Sequence, residues 1–373
     1  MSRDQWQQAR NVLVVRLDSL GDVLMCTPAM RAVKQSRPGC VLTLLTSCAG
    51  AAAARYIPEL DGVLAYPAPW MKSSGERSAM VDADMITRMA ARQFDAAVIF
   101  TSYSQSALPA ALLCHLAGIP LRLAHCRENP YRLLSDWVPE TEPEQMVRHE
   151  VQRQLDLVAS IGCQTASTQL SFRVPEAALA HVRRLLLARS ISAQMPFILL
   201  HPGASAPSRR YPAHLWSQAI DAIAARHGGS IVLTGEASER ALVDEISGRC
   251  AVPVISLAGQ LDLGQLGAAI SLAAVVVSNN TGPAHLAAAI GTPLVDLYAL
   301  TNPQHTPWQV EHRILFHDVP CRFCYKSLCP EGHHACLTKV EPLRVAQAVH
   351  SLLARSPGAR APQSDLPWPR QGS

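Results

Sequence analysis

The chain has 373 residues, 49% hydrophobic and 17% charged, which is the balance of a folded globular protein too long for one ordinary core. Its formal charge of +4 falls short of the dense basic surface that a polynucleotide needs, so nucleic acid is excluded as a partner and an anionic small molecule or anionic lipid fits better. The first ten residues are mostly polar and no stretch reaches membrane-spanning length unbroken, so neither a secretory signal nor a transmembrane helix is expected. The expected compartment is the cytoplasm, where the eleven cysteines are reduced or metal-bound.

NVLVVRL (11–17), VLTLLT (41–46) and DAAVIFT (95–101) are short apolar runs, each followed by a segment of helical character. Runs dense in Val, Ile and Leu without polar alternation are strands buried on both faces, hence parallel sheets covered by helices. The series pauses between about 140 and 195. There Val147, Val151, Leu155 and Val158 recur at spacings of three or four, and PEAALAHVRRLLLARS opens with Pro175 at a helix start. It resumes with PFILLH (196–201), SIVLTG (230–235), VPVISL (252–257), AVVVSN (274–279) and PLVDLY (293–298). The expected fold is α/β, with two doubly wound parallel-sheet domains over 1–180 and 181–355 and ligands at the carboxyl ends of strands facing a common cleft. Residues 356–373, rich in Pro, Gly and polar residues, are expected to be a disordered tail.

Three strand-to-helix loops carry candidate chemistry. RLDSLGDVLMCTPAMRAVK (16–34) sets Asp22 beside Gly21 at a helix start, where a carboxylate either complements the helix terminus or serves as a base. HPGASAPSRRYP (201–212) carries Arg209 and Arg210, either a solvated pair or a bidentate grip on a diphosphate. In NNTGPAH (279–285), Asn280, Thr281 and Gly282 stand where a strand gives way to a helix. Free N–H groups, the helix dipole and the Thr281 hydroxyl there suit a phosphate, while Pro283 fits the first turn without wasting a donor. His285 follows within reach of a ligand or as a packed core histidine. No loop carries the full G-x-G-x-x-G fingerprint, which argues against a dehydrogenase.

These motifs, with FDAAVIF, LAGIPLRLAH, LTGEASE and NNTGPAHLAAAIGTPLVDLYALTNP in the same order, resemble the glycosyltransferase family 9 heptosyltransferases over about residues 10 to 350. The resemblance implies a GT-B architecture of two Rossmann-like domains facing across a cleft. It further implies inverting, metal-independent transfer from ADP-L-glycero-β-D-manno-heptose to the lipopolysaccharide inner core, with no cofactor required. By the same resemblance Asp22 is the base, Arg209 stabilises the leaving diphosphate with Thr281 and Gly282, and Glu239 contacts the nucleoside. Family members usually carry aspartate where this chain has Asn280, which leaves three readings: the same heptose held by a neutral partner, another nucleotide sugar, or a non-catalytic binder. The acceptor is an inner-core or other anionic glycan, or a protein as for relatives that modify autotransporters. SYSQSALPAAL (102–112) is expected on its side. Arg3, Arg10, Arg16, Arg31, Lys34 and Arg37 give the N-terminal region a positive charge that suits phosphorylated lipid A and inner-core sugars or an anionic membrane face, with ordinary surface charges as the alternative for some of them.

PCRFCYKSLCPEGHHAC places Cys321, Cys324, Cys329 and Cys336 in a C-x2-C-x4-C-x6-C array. Four soft ligands in a reducing compartment are enough for a structural Zn or Fe site, and a loop of free thiols is the alternative. Autotransporter-modifying relatives of the family carry iron in a C-terminal cysteine cluster, which the resemblance adds to the first reading.

Overall fold

The computed structural model describes residues 3–72, 78–191 and 196–354, so the tail expected at 356–373 lies outside the described residues. The chain divides into two compact units between Ser171 and Phe172. The helix Glu176–Leu187 packs against the helix Leu263–Leu272 and so belongs to the second unit.

In the first unit β1 (Asn11–Arg16), β2 (Val41–Thr46), β3 (Gly62–Ala65), β4 (Ala96–Ile99), β5 (Leu121–Cys126) and β6 (Asp136–Pro139) form one parallel sheet in the order β3-β2-β1-β4-β5-β6. In the second unit β7 (Ile198–His201), β8 (Ile231–Leu233), β9 (Ile255–Ser256), β10 (Val275–Asn279), β11 (Leu294–Leu297) and β12 (His312–Leu315) form another, ordered β12-β11-β10-β7-β8-β9. Read from its other edge, the second sheet has the same winding as the first. Each sheet reverses direction once, between β1 and β4 and between β7 and β10, and ligands of doubly wound sheets bind outside the strand ends at that reversal.

Every expected strand is present, and β3, β5, β6 and β12 are additions. Three of them, β3, β6 and β12, are sheet edges and are short or half polar, so no continuous apolar run marks them. The fourth, β5, is interrupted by Arg122 and His125, both buried. Arg122 is tolerated there because its guanidinium donates to the carbonyls of Leu133 at 2.7 Å and Arg132 at 2.8 Å, turning a buried charge into a loop clamp. Each unit has its own core, one around Leu13, Val15, Leu45 and Ile99, the other around Ile198, Val277, Val295 and Trp216. Among the described residues no helix is long and apolar enough to cross a membrane.

Candidate active site

At the carboxyl end of β1 the first unit gathers three acids around one buried cation. The Arg16 guanidinium, 1% exposed, reaches Glu150 Oε1 at 2.7 Å, Asp18 Oδ2 at 2.9 Å and Asp22 Oδ1 at 3.1 Å. Burial alone would weaken its hold on the proton, but the acids outweigh that and raise its pKa well above the ordinary arginine value. Asp22 sits in the helix Leu20–Met25, and its Oδ2 accepts from the Ser19 backbone N–H at 3.0 Å and the Ser19 hydroxyl at 2.6 Å. Asp22 therefore closes the helix start, and those same donors fix its carboxylate in orientation. Asp18 is pushed up, first by burial and then by Asp22, against the pull of Arg16.

Gln105 donates to Asp18 Oδ1 at 2.6 Å and also lines a cavity of about 200 Å³ with Ser104, Ser106, His125, Arg127 and Glu128. Part of the 102–112 segment thus borders an open polar space at the ends of β4 and β5. Burial, helped by the charge of Arg153, pushes His125 down to about 4, so it is neutral at pH 7.

In the second unit the loops after β7 and β10 are tied together by Asn279. Its side chain donates to the carbonyl of Pro202 at 2.8 Å and accepts from the Tyr211 backbone N–H at 3.1 Å, gripping both ends of the loop that carries Arg209. Arg210 is exposed and its side chain donates to the Ala204 carbonyl at 2.8 Å, whereas the side chain of the half-buried Arg209 makes no hydrogen bond or ion pair among the described residues. Of the two adjacent arginines, Arg209 is the one with charge to give. Thr281 stands at the N-cap position of the helix Gly282–Ile290 without a side-chain capping bond, its hydroxyl donating instead to the Asn279 carbonyl at 3.2 Å, and Pro283 lies in the first turn. Asn280 is 2% exposed with its Oδ1 unpartnered. His285 is buried, with its ring 6.3 Å from that of His305.

Glu239 lies over Gly203, where a Cβ would stand 1.9 Å from Oε1, so only glycine leaves room for this carboxylate. It also accepts from the Glu236 backbone N–H at 2.8 Å. His201 Nε2 is 3.6 Å from Glu239, but burial lowers its pKa to about 4, so the contact is not an ion pair at neutral pH. Arg209, Glu239, Asn280, Thr281 and Gly282 therefore share the β7–β10 reversal of the second unit, and Asp22 stands at the equivalent β1 position of the first.

A sequence profile of glycosyltransferase family 9 (heptosyltransferase) matches residues 84–335. The chain belongs to this family. The match spans the loops holding Arg209, Glu239 and Asn280 to Gly282, while Asp22 lies before it. Lipopolysaccharide heptosyltransferase 2 of Salmonella typhimurium is 25% identical over 356 residues, covering 92% of this chain and 98% of that protein. Among solved structures, a glycosyl transferase family 9 protein from Veillonella parvula superposes with a TM-score of 0.80 at 19% identity, covering 93% of this chain and 98% of that one. ADP-heptose lps heptosyltransferase II of E. coli gives 0.71 at 21% identity, covering 92% and 98%. The two structural likenesses establish the fold, a GT-B glycosyltransferase built of two Rossmann-like parallel-sheet units.

This family 9 chain also brings its late cysteines together. Cys321, Cys324, Cys329 and Cys336 line one small cavity of about 20 Å³ with His333, whose Nε2 is 3.9 Å from Cys321 Sγ. All four are free thiols, and burial pushes Cys321 and Cys336 up. Among the described residues no three His, Cys, Asp or Glu side chains converge closely enough to hold a metal ion. The donor chemistry fits a soft metal, and the cavity matches about one water-sized particle. The same loop is strapped to the one that carries Arg209: Ser208 donates from its N–H to the Ser327 carbonyl at 3.0 Å and from its hydroxyl to the Lys326 carbonyl at 2.8 Å.

Arg16 and Arg37, expected among the basic residues that meet an anionic acceptor or membrane face, are instead buried, Arg16 on its three acids and Arg37 on the Trp6 carbonyl at 2.6 Å, while Glu150, Asn279 and Asp296 are not singled out by the motifs. Arg16 and Asp296 share a signal, a charged residue at the end of or within an apolar strand run, which a buried strand carries only at a cost.

Proposed function

We propose that this glycosyltransferase moves a heptose, with inversion, from ADP-L-glycero-β-D-manno-heptose to the lipopolysaccharide inner core or a related anionic glycan, in the cytoplasm with peripheral contact at the inner membrane. The observation that carries the donor half is Arg209, an unpaired cation on a loop clamped by Asn279 to the strand end that opens the helix Gly282–Ile290. An unpaired guanidinium and the N–H groups of a helix terminus are the donors a leaving diphosphate needs. Glu239 is an acceptor for ribose hydroxyls, and the Asn280 amide offers a neutral contact to the sugar. In the first unit Asp22, oriented by Arg16 and Ser19, takes the proton of the acceptor hydroxyl as its oxygen attacks the anomeric carbon and the bond to the diphosphate breaks. The polar cavity beside Gln105, with Arg127 on its wall, suits the acceptor's anionic sugars.

Thermal stabilisation by a nucleotide panel tests the donor. ADP and ADP-heptose are expected to stabilise by about 2.7 kcal/mol at a hundredfold excess over Kd, with UDP, GDP and their sugars much weaker. Preference for another base replaces the donor, and silence toward all of them favours a non-catalytic role.

A structural Zn or Fe held by Cys321, Cys324, Cys329 and Cys336 is part of the same reading. Because their loop is strapped to Ser208, such an ion would stiffen the segment that carries Arg209, with no part in the chemistry. Elemental analysis of protein purified without chelator is expected to find about one metal ion per chain, as four thiolate ligands complete a tetrahedral site. Absence of stoichiometric metal removes the proposal.

A further inference from the structure

β7 ends on a histidine that opens the loop carrying Arg209. His201 is 6% exposed. Ile198 and Leu200 point into the core, so alternation along the strand turns His201 to the opposite face. Its Nδ1 lies 3.1 Å from the Thr234 hydroxyl oxygen just past β8, and that hydroxyl spends its one proton on the Leu200 carbonyl at 3.3 Å. The Thr234 oxygen is therefore left to accept from the ring, Nδ1 carries the ring proton, and Nε2 presents a lone pair.

The group in front of that lone pair is a second acceptor. Glu239 Oε2 stands 3.6 Å from Nε2, beyond hydrogen-bond distance, and is held in place by the Glu236 N–H at 2.8 Å. Burial keeps the imidazole neutral at pH 7, so no charge on the ring draws the carboxylate closer. Among the described residues Nε2 has no hydrogen-bond partner. Two acceptors face to face in a largely buried place leave a favourable interaction unmade, and the matching ligand brings two polar protons side by side. Adjacent hydroxyls of a ribose do this, one for each acceptor. A phosphate, which brings acceptors alone, is turned away.

We propose that His201 is a specificity-determining residue of the donor site, its Nε2 accepting from one ribose hydroxyl of the nucleotide while Glu239 accepts from the neighbouring one. This rests on the donor reading above and deepens it: the ribose is read as a pair of hydroxyls by two acceptors from different strand ends. Because β7 runs from His201 directly into the loop that carries Arg209, one segment of backbone sets both the ribose contact and the diphosphate contact.

The test is calorimetric binding of ADP, 2′-deoxy-ADP, 3′-deoxy-ADP and inosine diphosphate to the full chain and to its His201→Phe and His201→Gln variants. The wild type is expected to bind each deoxy nucleotide about tenfold more weakly than ADP, the loss of one hydrogen bond to a largely buried acceptor. In His201→Phe, ADP itself is expected to weaken about tenfold, and one of the two deoxy nucleotides to bind as well as ADP does, because the hydroxyl it lacks has lost its acceptor. His201→Gln, whose amide oxygen can stand in for the ring lone pair, is expected to restore the discrimination. Affinity ratios within one protein cancel any general loss of fold. Equal deoxy penalties in the wild type and His201→Phe overturn the proposal. So does a wild type that binds ADP and both deoxy nucleotides alike, a result that needs no variant. A His201→Phe chain that loses only its preference for ADP over inosine diphosphate moves the contact to the adenine amino group and overturns the ribose assignment. If the wild type binds no nucleoside diphosphate at all, the donor reading fails and this proposal falls with it.

Discussion

Asp22→Asn is expected to lower kcat for glycosyl transfer by about a thousandfold, within the range that a positioned general base contributes, while the Kd for ADP-heptose stays near the wild-type value. The substitution keeps the side chain's size and one acceptor, which stays with the Ser19 N–H and hydroxyl while the Arg16 contact, made to the other oxygen, is given up. What it removes is the ability to take a proton. The groups assigned to the nucleotide, Arg209, Glu239, Thr281 and Gly282, belong to the other compact unit and lose no contact. Donor binding by calorimetry and turnover under saturating donor separate the two effects. A variant retaining more than a tenth of wild-type kcat would transfer the role to Asp18. That acid shares the Arg16 cluster, is raised above the ordinary aspartate value by burial, and is bound to Gln105 on the cavity wall.

How far the sequence foretold this site depends on where each residue's information lies. The junction at 279–285 is legible because it is local: an apolar strand, a small polar triplet and a first-turn proline specify strand end, ligand seat and helix start within seven residues. The doubly wound order is legible for the same reason, since each central strand announces itself. The assignment within RR at 209–210 is not local. It takes the fold to show that Arg210 is spent on the Ala204 carbonyl and that Asn279, from a strand far along the chain, grips the loop on either side. Cysteine spacing likewise reveals a candidate ligand set and says nothing of Ser208, whose two bonds to Lys326 and Ser327 join that loop to Arg209. Arg16, read from sequence as a surface charge, and Asp296, not read at all, are the instructive cases. Each is a charge in an apolar strand, where burial is so costly that the residue's persistence is itself evidence of a partner or a role.

Arg16→Met should cost about 3–5 kcal/mol of stability, because breaking a buried ion pair from one side strands the charges left behind. Glu150 is fully buried and one of its oxygens already lacks a partner, so without Arg16 it would rely on Gln154 Nε2 at 2.8 Å alone. Against a typical total of about 5–15 kcal/mol, such a loss shifts the urea midpoint sharply. Arg16→Lys should fall between, since an ammonium keeps the charge but cannot fork toward three acids as a guanidinium does. The decisive variant is Arg16→Met with Glu150→Leu. Replacing a buried ion pair by apolar residues of similar size is often neutral for stability, so this chain is expected to regain most of the lost midpoint. Its turnover should stay low, because Asp22 will have lost the donor to its Oδ1 and Asp18 its counter-charge. Recovery of stability without recovery of turnover would show that Arg16 serves to aim the carboxylates at the end of β1. Recovery of both would reduce it to a packing residue and shift the orientation of Asp22 entirely to Ser19.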